Sequence, residues 1–572
     1  MLIREINKNF LLPIEFDKSK KKIFNNLYQD LELLKTHSDT IPVYQKVFRP
    51  DTSIGKECLK KIPEYFTTNT LFLEDSQKIT KNMNNDYFLQ NNKIVNDFWT
   101  NWEEIKNTEE FLEKFQYIEW EKLEFLNKSS LFLAILTFYE LASPVLSLFA
   151  PLILFIIPFI ILKILKIPIT IENYGKTLMQ QLDKHPIGQV FTRFKGLSWS
   201  QRSYLLLCAG MYVYQIYQNV LSCYHFYINT SQINDTFKSM TIYLKYTINK
   251  LKHYIDVIQP YESHDEYKSY IKENLNELIA MYNVTSTIPT TSFNPTKMFS
   301  FGKIMKEFYV LQTCPKIEKT LLFSFGFNGY IEIINGLNYN IQHKKMNKMR
   351  FSNKKTQLEI KNLYHPCIET SAITNNIDLS CNKIITGSNA AGKTTILKAV
   401  TINVLLSQQI GYGFYKKGKM TPFDFIHCYL NIPDTNSRDS LFQAEARQCF
   451  NILDIIQKNK SKKHFCIFDE LFSGTNPYEA ISSAQSYLSY ISKNKNVKFM
   501  LTTHYLKLCE MFESDKTIDN FHMETYVQNE KQKHTYKIKN GISKIKGGIM
   551  VLKDLGYPEE IVKNAFNNMK TL

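Results

Sequence analysis

Apolar residues recur every three or four positions through the first 125 residues, as at Phe24, Leu27, Leu31 and Leu34, which predicts amphipathic helices. Asp51-Thr52-Ser53, with Gly55 close behind, reads as a helix start running through Leu59. The pattern changes at Lys128. From Leu131 to Leu162 the only charge is Glu140, and Leu141–Leu162 carries none, which meets the length criterion of a membrane-spanning helix although three prolines interrupt it. A spanning helical hairpin, with arms Leu131–Leu148 and Leu152–Ile169 and a turn at Ser147–Pro151, would keep both flanks on one side of a membrane; a shallow re-entrant or interfacial hairpin, and a buried helical pair or protein-docking surface, are the alternatives. Ser200 to about Lys252 reads as a long Tyr- and Leu-rich helix, and its stretch Tyr204–Tyr214 is expected to be a buried core helix. Gly, Pro, Ser and Thr then gather between Thr285 and Gly302 as a connection. From about Gln357 short apolar runs (LEIKNL, KIITG, HFCIFDE, VKFMLTTH) alternate with helical stretches, the signature of a parallel α/β sheet.

At 572 residues the chain exceeds a single hydrophobic core. The expected division is 1–127 helical, 128–170 hydrophobic, 171–350 helical and 351–572 α/β. Hydrophobic residues at 44% and aromatics at 14% exclude a largely disordered or low-complexity chain. Lys+Arg 70 against Asp+Glu 54 leaves +16, which favours anionic partners. The ten cysteines form no C-x-x-C pair, so neither a disulfide framework nor a zinc ribbon is indicated, and a reducing compartment is expected. The start, MLIREINKNFLLPIEF, lacks the apolar core and cleavage site of a secretory signal, so the expected location is intracellular.

Gly387-Ser388-Asn389-Ala390-Ala391-Gly392-Lys393-Thr394 fits G-x-x-x-x-G-K-[ST] between the strand Lys383–Thr386 and a helix opening at Thr395. Backbone N–H groups there can surround phosphate, Lys393 can reach the β and γ oxygens, and the Thr394 hydroxyl can ligate Mg²⁺. In HFCIFDE, Asp469 and Glu470 emerge at the carboxyl edge of a buried strand, where open α/β sheets bind ligands. Asp469 suits Mg²⁺, through water, and Glu470 suits activation of the attacking water. His504, ending Val497–Thr503, can contact the γ-phosphate or that water. ATP and Mg²⁺ are therefore the expected cofactors, and Lys393, Glu470 and His504 the expected catalytic groups.

ITGSNAAGKTT, FDELFSGTNPYEA and LTTHY, in this order and spacing, resemble the ATPase domain of the MutS family of mismatch-repair ATPases. Leu363-Tyr364-His365-Pro366 is similar to that family's R-H-P, and Asp439-Ser440-Leu441-Phe442-Gln443-Ala444-Glu445 to its S-T-F-x-x-E segment. The resemblance implies that Ser440 reaches a partner subunit's nucleotide, that Tyr536 contacts adenine, and that the region around Leu555-Gly556-Tyr557-Pro558 serves dimerisation. Thr52-Ser53-Ile54-Gly55 with Leu59 is similar to the T-x-x-G-x-x-x-L opening of the family's helical core. No segment resembles the mismatch-reading domain with its F-x-E wedge, and the apolar block looks like that of membrane-associated MutS-like proteins. The implied fold is α + α/β: a helical core and lever, with an inserted hydrophobic hairpin, followed by an ABC-type P-loop domain. The implied function is ATP binding and hydrolysis by a homodimer or MutS-like heterodimer, coupled to double-stranded DNA in mismatch repair or genome maintenance. The alternative is a membrane-attached ATPase that acts on a protein or lipid assembly, with lipid as partner and no DNA. The basic runs Lys18–Lys22, Lys344–Arg350 and Lys458–Lys463 lack interleaved aromatics and read as solvated surface.

Overall fold

The computed structural model describes every residue except 1, 37–39, 84–91, 185–187, 190–195, 197, 289–297, 353–356, 369–371, 431–440, 529–530, 544–551, 553–554 and 572. It divides into two units, one of residues 1–92, 247–276 and 322–572, the other of 93–246 and 277–321.

In the first unit, the four apolar runs of the sequence are strands β2 (Leu358–Leu363), β4 (Asn382–Thr386), β8 (His464–Asp469) and β9 (Val497–Thr503). With β7 (Phe425–Tyr429), β10 (Ile518–Gln528) and β11 (Lys531–Asn540), three of them make a six-stranded sheet of order β11-β10-β4-β9-β8-β7. All its pairs are parallel except the β10–β11 hairpin. The central strands read as continuous apolar runs because both faces are covered: β4 is buried at every position and β8 at all but Asp469. On one face lie helices whose apolar positions recur at helical spacing, Ala480, Ala484, Leu488 and Ile491 from Pro477–Ser492 and Cys449, Ile452 and Ile456 from Leu441–Lys458. A second sheet, not anticipated beyond LEIKNL, has order β3-β2-β6-β1-β5, from β1 (Asn347–Phe351), β3 (Asn375–Asp378), β5 (Tyr412–Gly413) and β6 (Lys417–Met420).

The same unit holds the predicted helix start at Thr52. Helix α1 (Ser53–Leu59) is capped by the Thr52 hydroxyl, which accepts from the Gly55 N–H at 2.9 Å and donates to Glu332 Oε2 at 2.6 Å. Glu332 Oε1 accepts from the N–H groups of Asp51 and Thr52 at 2.6 and 2.8 Å. Gly55 is required because a Cβ there would meet Glu332 Oε2 at 2.6 Å. Gly55→Ala is therefore expected to displace this buried carboxylate and destabilise the unit by about 2 kcal/mol, readable by chemical denaturation. The amphipathic run from Phe24 stops sooner than its spacing predicts: the helix covers Asn25–Asp30, and Glu32 turns to φ 53°.

The second unit corrects two expectations. The proposed hairpin is one helix, α2 (Ser130–Ile164), which passes through the expected turn at Ser147–Pro151. Prolines 144, 151 and 158 all lie within this one helix and do not divide it. Among the described residues, no helix is long and apolar enough to cross a membrane. Helix α3 (Ile171–Leu182) follows and rests on α2, with the Tyr174 hydroxyl donating to the Phe155 carbonyl at 2.9 Å and its ring 4.4 Å from that of Phe159. The long helix appears as α4 (Trp199–Ile258), whose residues up to Tyr246 belong to this unit. Its stretch Tyr204–Tyr214 is not core: Leu205 is buried, but Tyr204, Leu206, Leu207, Met211, Val213 and Tyr214 are exposed. Apolar composition supplied the expectation of burial, but among the described residues of the unit none covers that side. The anchored end of α2 meets α5 (Met298–Thr313) so closely that a Cβ on Gly302 would lie 2.0 Å from the Ser130 carbonyl oxygen.

Candidate functional site

The site forms at the carboxyl edge of the six-stranded sheet, where β4, β8 and β9 end side by side. Beyond β4 the loop 387–392 turns into α6 (Lys393–Ile410) through two residues at positive φ, Ala390 (59°) and Gly392 (91°). Gly392 also faces Tyr536, whose Cδ1 would be 3.2 Å from an added Cβ. Gly392→Ala should strain the loop and press on that ring, and a clear loss of nucleotide affinity by fluorescence titration is the expected readout.

Lys393 is buried, and its ammonium donates to the carbonyls of Gly387 and Ser388 at 3.2 and 3.3 Å. Burial lowers its pKa, while Glu470 and Asp469 act in the opposite sense. The Thr394 hydroxyl donates to Asp469 Oδ2 at 2.6 Å, and Asp469 Oδ1 accepts from the Thr502 hydroxyl on β9. Asp469 is thus fixed from helix α6 and from β9, with the Thr394 hydroxyl and its carboxylate side by side. These are hard oxygen donors, which fit Mg²⁺ once phosphate and water complete its shell. Among the described residues no group of three or more His, Cys, Asp or Glu gathers into a self-contained metal cage.

Glu470 follows at φ 53°, its N–H bonded to the Thr502 carbonyl at 3.0 Å. Its Oε1 lies 3.0 Å from His504 Nε2, which is also 2.9 Å from Lys393 Nζ. One ring nitrogen serves one of these contacts at a time: protonated it donates to Glu470, unprotonated it accepts from Lys393. The His504 hydrogen bond, ahead of the opposing effect of burial, holds the Glu470 carboxyl below its ordinary range, with His504 and Lys393 charges adding to the lowering. Glu470 is therefore a carboxylate at neutral pH, the form a base requires.

A cleft of 630 Å³ opens beside these groups, lined by Lys393, Thr394 and Glu470 and by His365, Ile368, Ile373, Met523 and Tyr536. Tyr536, half-exposed at φ 56°, is held by Asn375, which donates to its carbonyl at 3.0 Å and accepts from the Ile538 N–H at 2.8 Å. The Gln532 amide donates to the Ser388 hydroxyl at 2.6 Å. His365 is neutral, pushed down to about 4 chiefly by burial.

The loop, Lys393, Thr394, Asp469, Glu470, His504 and Tyr536, read separately from the sequence, thus meet around one cleft. Asn389, Ala390 and Thr395 line it as well, while Ser440 lies outside the described residues. Glu445, in the same segment, accepts from the Ser473 N–H and hydroxyl at 3.1 and 2.8 Å and from the Gly474 N–H at 3.1 Å. It thereby fixes the loop that follows Glu470. Asn375 and Met523, brought to the cleft by strand pairing, and Ile373, just before β3, are ordinary residues that carried no sequence signal.

Residues 383–572 match the family model described as MutS domain V. Over 217 residues the chain is 32% identical to a DNA mismatch repair protein MutS of Persephonella marina, covering 37% of this chain and 24% of that protein. It is 32% identical over 215 residues to the protein of the same name from Aquifex pyrophilus, covering 36% and 25%. A longer match, 26% over 339 residues, is to the one from Leptospira interrogans, covering 56% of this chain and 39% of that one. The chain thus spans between a quarter and two fifths of the length of these relatives.

Proposed function

The α/β region of this chain belongs to the MutS family, and from that premise we propose that the protein binds and hydrolyses ATP as a dimer and couples the cycle to double-stranded DNA in mismatch repair or a related step of genome maintenance. The observation that carries the reading is the convergence of Lys393, the Thr394–Asp469 pair and the Glu470–His504 pair at one sheet edge.

In this reading the β- and γ-phosphates lie against the N–H groups at the start of α6, and Lys393 exchanges its contacts with the Gly387 and Ser388 carbonyls and His504 for phosphate oxygens. Thr394 and Asp469 hold Mg²⁺, which when bound neutralises phosphate charge. Glu470 orients and deprotonates the attacking water. Once Lys393 turns to phosphate, His504 is released to hydrogen-bond Glu470 and to report whether a γ-phosphate is present. The adenine enters between Ile373 and Tyr536, and Ser440 reaches the partner's nucleotide. Residues 351–572 form the ATPase domain and the preceding helical residues the core and lever, with dimerisation by the helix Glu559–Thr571 and its neighbours.

DNA coupling draws its support from the relatives and the net charge. Within the basic runs, Lys18 pairs with Glu266 at 3.2 Å and Lys458 with Asp454 at 2.7 Å, as solvated surface does. Lys393→Ala is expected to weaken ATP binding at least tenfold in a direct titration. Turnover measured without DNA, with homoduplex and with mismatched duplex tests the coupling: an increase on DNA is expected, and identical rates in all three would overturn it.

A further inference from the structure

The second unit carries an apolar arm that the described residues of the unit leave largely uncovered. Along α2 the exposed side chains include Leu146, Phe149, Phe155, Ile156 and Ile160; along the first half of α4 they include Trp199, Tyr204, Leu207, Met211, Tyr214 and Tyr224. From Ser203 to Asn234 α4 carries no Asp, Glu, Lys or Arg. Within this half, one face is sheltered, with Leu205 and Phe226 at 5% exposure each and Cys208, Tyr212, Ile216 and Cys223 half-buried beside them, while the opposite side, with Leu207, Met211 and Tyr214, is open. Gly210 shows the openness directly, since an added Cβ there would meet nothing within 4 Å.

We propose that this arm embeds in the interface of an anionic lipid bilayer. Three observations select lipid over a protein. A helix apolar around most of its circumference needs an apolar surrounding on several sides at once, whereas one docked protein covers a single face. The tyrosine hydroxyls, with Trp199, are spread along the whole exposed half of α4, which suits a helix lying at headgroup depth. The charges around the arm are mostly basic and at its ends: Lys163 and Lys166 close α2, Lys176 and Lys184 stand on or after α3, and Arg202 opens α4, against Glu140 within α2 and Glu172 and Asp183 among described neighbours, Lys176 being paired with Glu172 at 2.7 Å. Helix α3 itself is amphipathic, buries no residue completely, and exposes Ile171 and Met179. Lysines bordering apolar helices are placed to meet anionic headgroups while their stems lie along the acyl boundary. The inference stands apart from the nucleotide reading, since none of these residues touches the cleft.

The test is flotation of the full-length chain with vesicles of phosphatidylcholine alone or mixed with phosphatidylglycerol. The chain should float with the mixed vesicles, less with the neutral ones, and the anionic preference should shrink in high salt. Leu207→Glu/Met211→Glu/Tyr214→Glu, at exposed positions, should lower the floated fraction roughly tenfold with thermal unfolding and nucleotide binding unchanged. Lys163→Ala/Lys166→Ala, a milder change, should remove the anionic preference alone. Absence of flotation with either vesicle overturns the proposal. So does a light-scattering result in which the triple substitution dissociates a dimer while flotation stays as in the parent chain, because that assigns the arm to a second copy.

Discussion

Glu470→Gln is expected to keep ATP affinity within a few-fold of the parent chain while lowering single-turnover hydrolysis by about a thousandfold. Gln occupies the same volume, keeps the 3.0 Å backbone bond to Thr502, and leaves Lys393, Thr394 and Asp469 in place, so what is lost is the carboxylate that accepts a proton. Parent-like hydrolysis would place the base elsewhere. Loss of ATP binding together with turnover would mean that the loop, rather than the proton acceptor, had been damaged. The same variant should hold ATP long enough to show by light scattering whether nucleotide tightens a dimer.

The pH dependence follows from the same carboxyl. Its folded pKa lies below the ordinary 4.5, so its contact with His504 contributes stability above the unfolded value that is lost as pH falls through the folded one. Hydrolysis limited by this base should therefore hold on acidification until the pH is below about 4.5. A pH-rate profile in which a Glu470-dependent step fails near neutrality would contradict that assignment.

Strands β4, β8 and β9 are legible in the sequence because a strand covered on both faces must be apolar throughout, and the phosphate loop because its geometry demands glycine at Gly392. Asp469 and Glu470 follow from where such a strand ends. The second sheet is not legible, since β5 and β6 are two and four residues long and leave no period to detect. Leu131–Ile169 misleads for another reason. Its composition states which solvent the residues prefer but not where the chain reverses, and only placement shows that α2 continues while α4 supplies the other apolar segment. Tyr204–Tyr214 fails likewise, because hydrophobicity records a tendency to be covered without naming the cover.

Gln409→Leu is expected to destabilise the first unit by about 3–5 kcal/mol, a larger effect than any surface ion pair nearby. Gln408 and Gln409 sit in the last turn of the helix that begins with Lys393, and both are buried. The Gln409 amide donates to the carbonyls of Ile62 and Tyr65 at 3.0 Å each, and its oxygen accepts from the Tyr44 hydroxyl. Gln408 donates to Thr67 and Phe423 carbonyls at 3.1 and 2.9 Å and accepts from the Phe423 N–H at 2.9 Å. Leu has nearly the same volume, so the substitution opens no sizeable cavity. It leaves two carbonyls and a hydroxyl buried without that partner, at about 1–3 kcal/mol each before relaxation. On the same helix, Lys398→Ala, which removes the 2.9 Å pair with partly exposed Glu32, should cost about 1 kcal/mol or less. Because the glutamines anchor the end of α6 opposite the phosphates, Gln409→Leu should also weaken nucleotide binding several-fold, whereas Lys398→Ala should not. Equal unfolding midpoints for the two variants would show that the glutamine clamp contributes no more than the ion pair, and the helix would then be held by its apolar face alone.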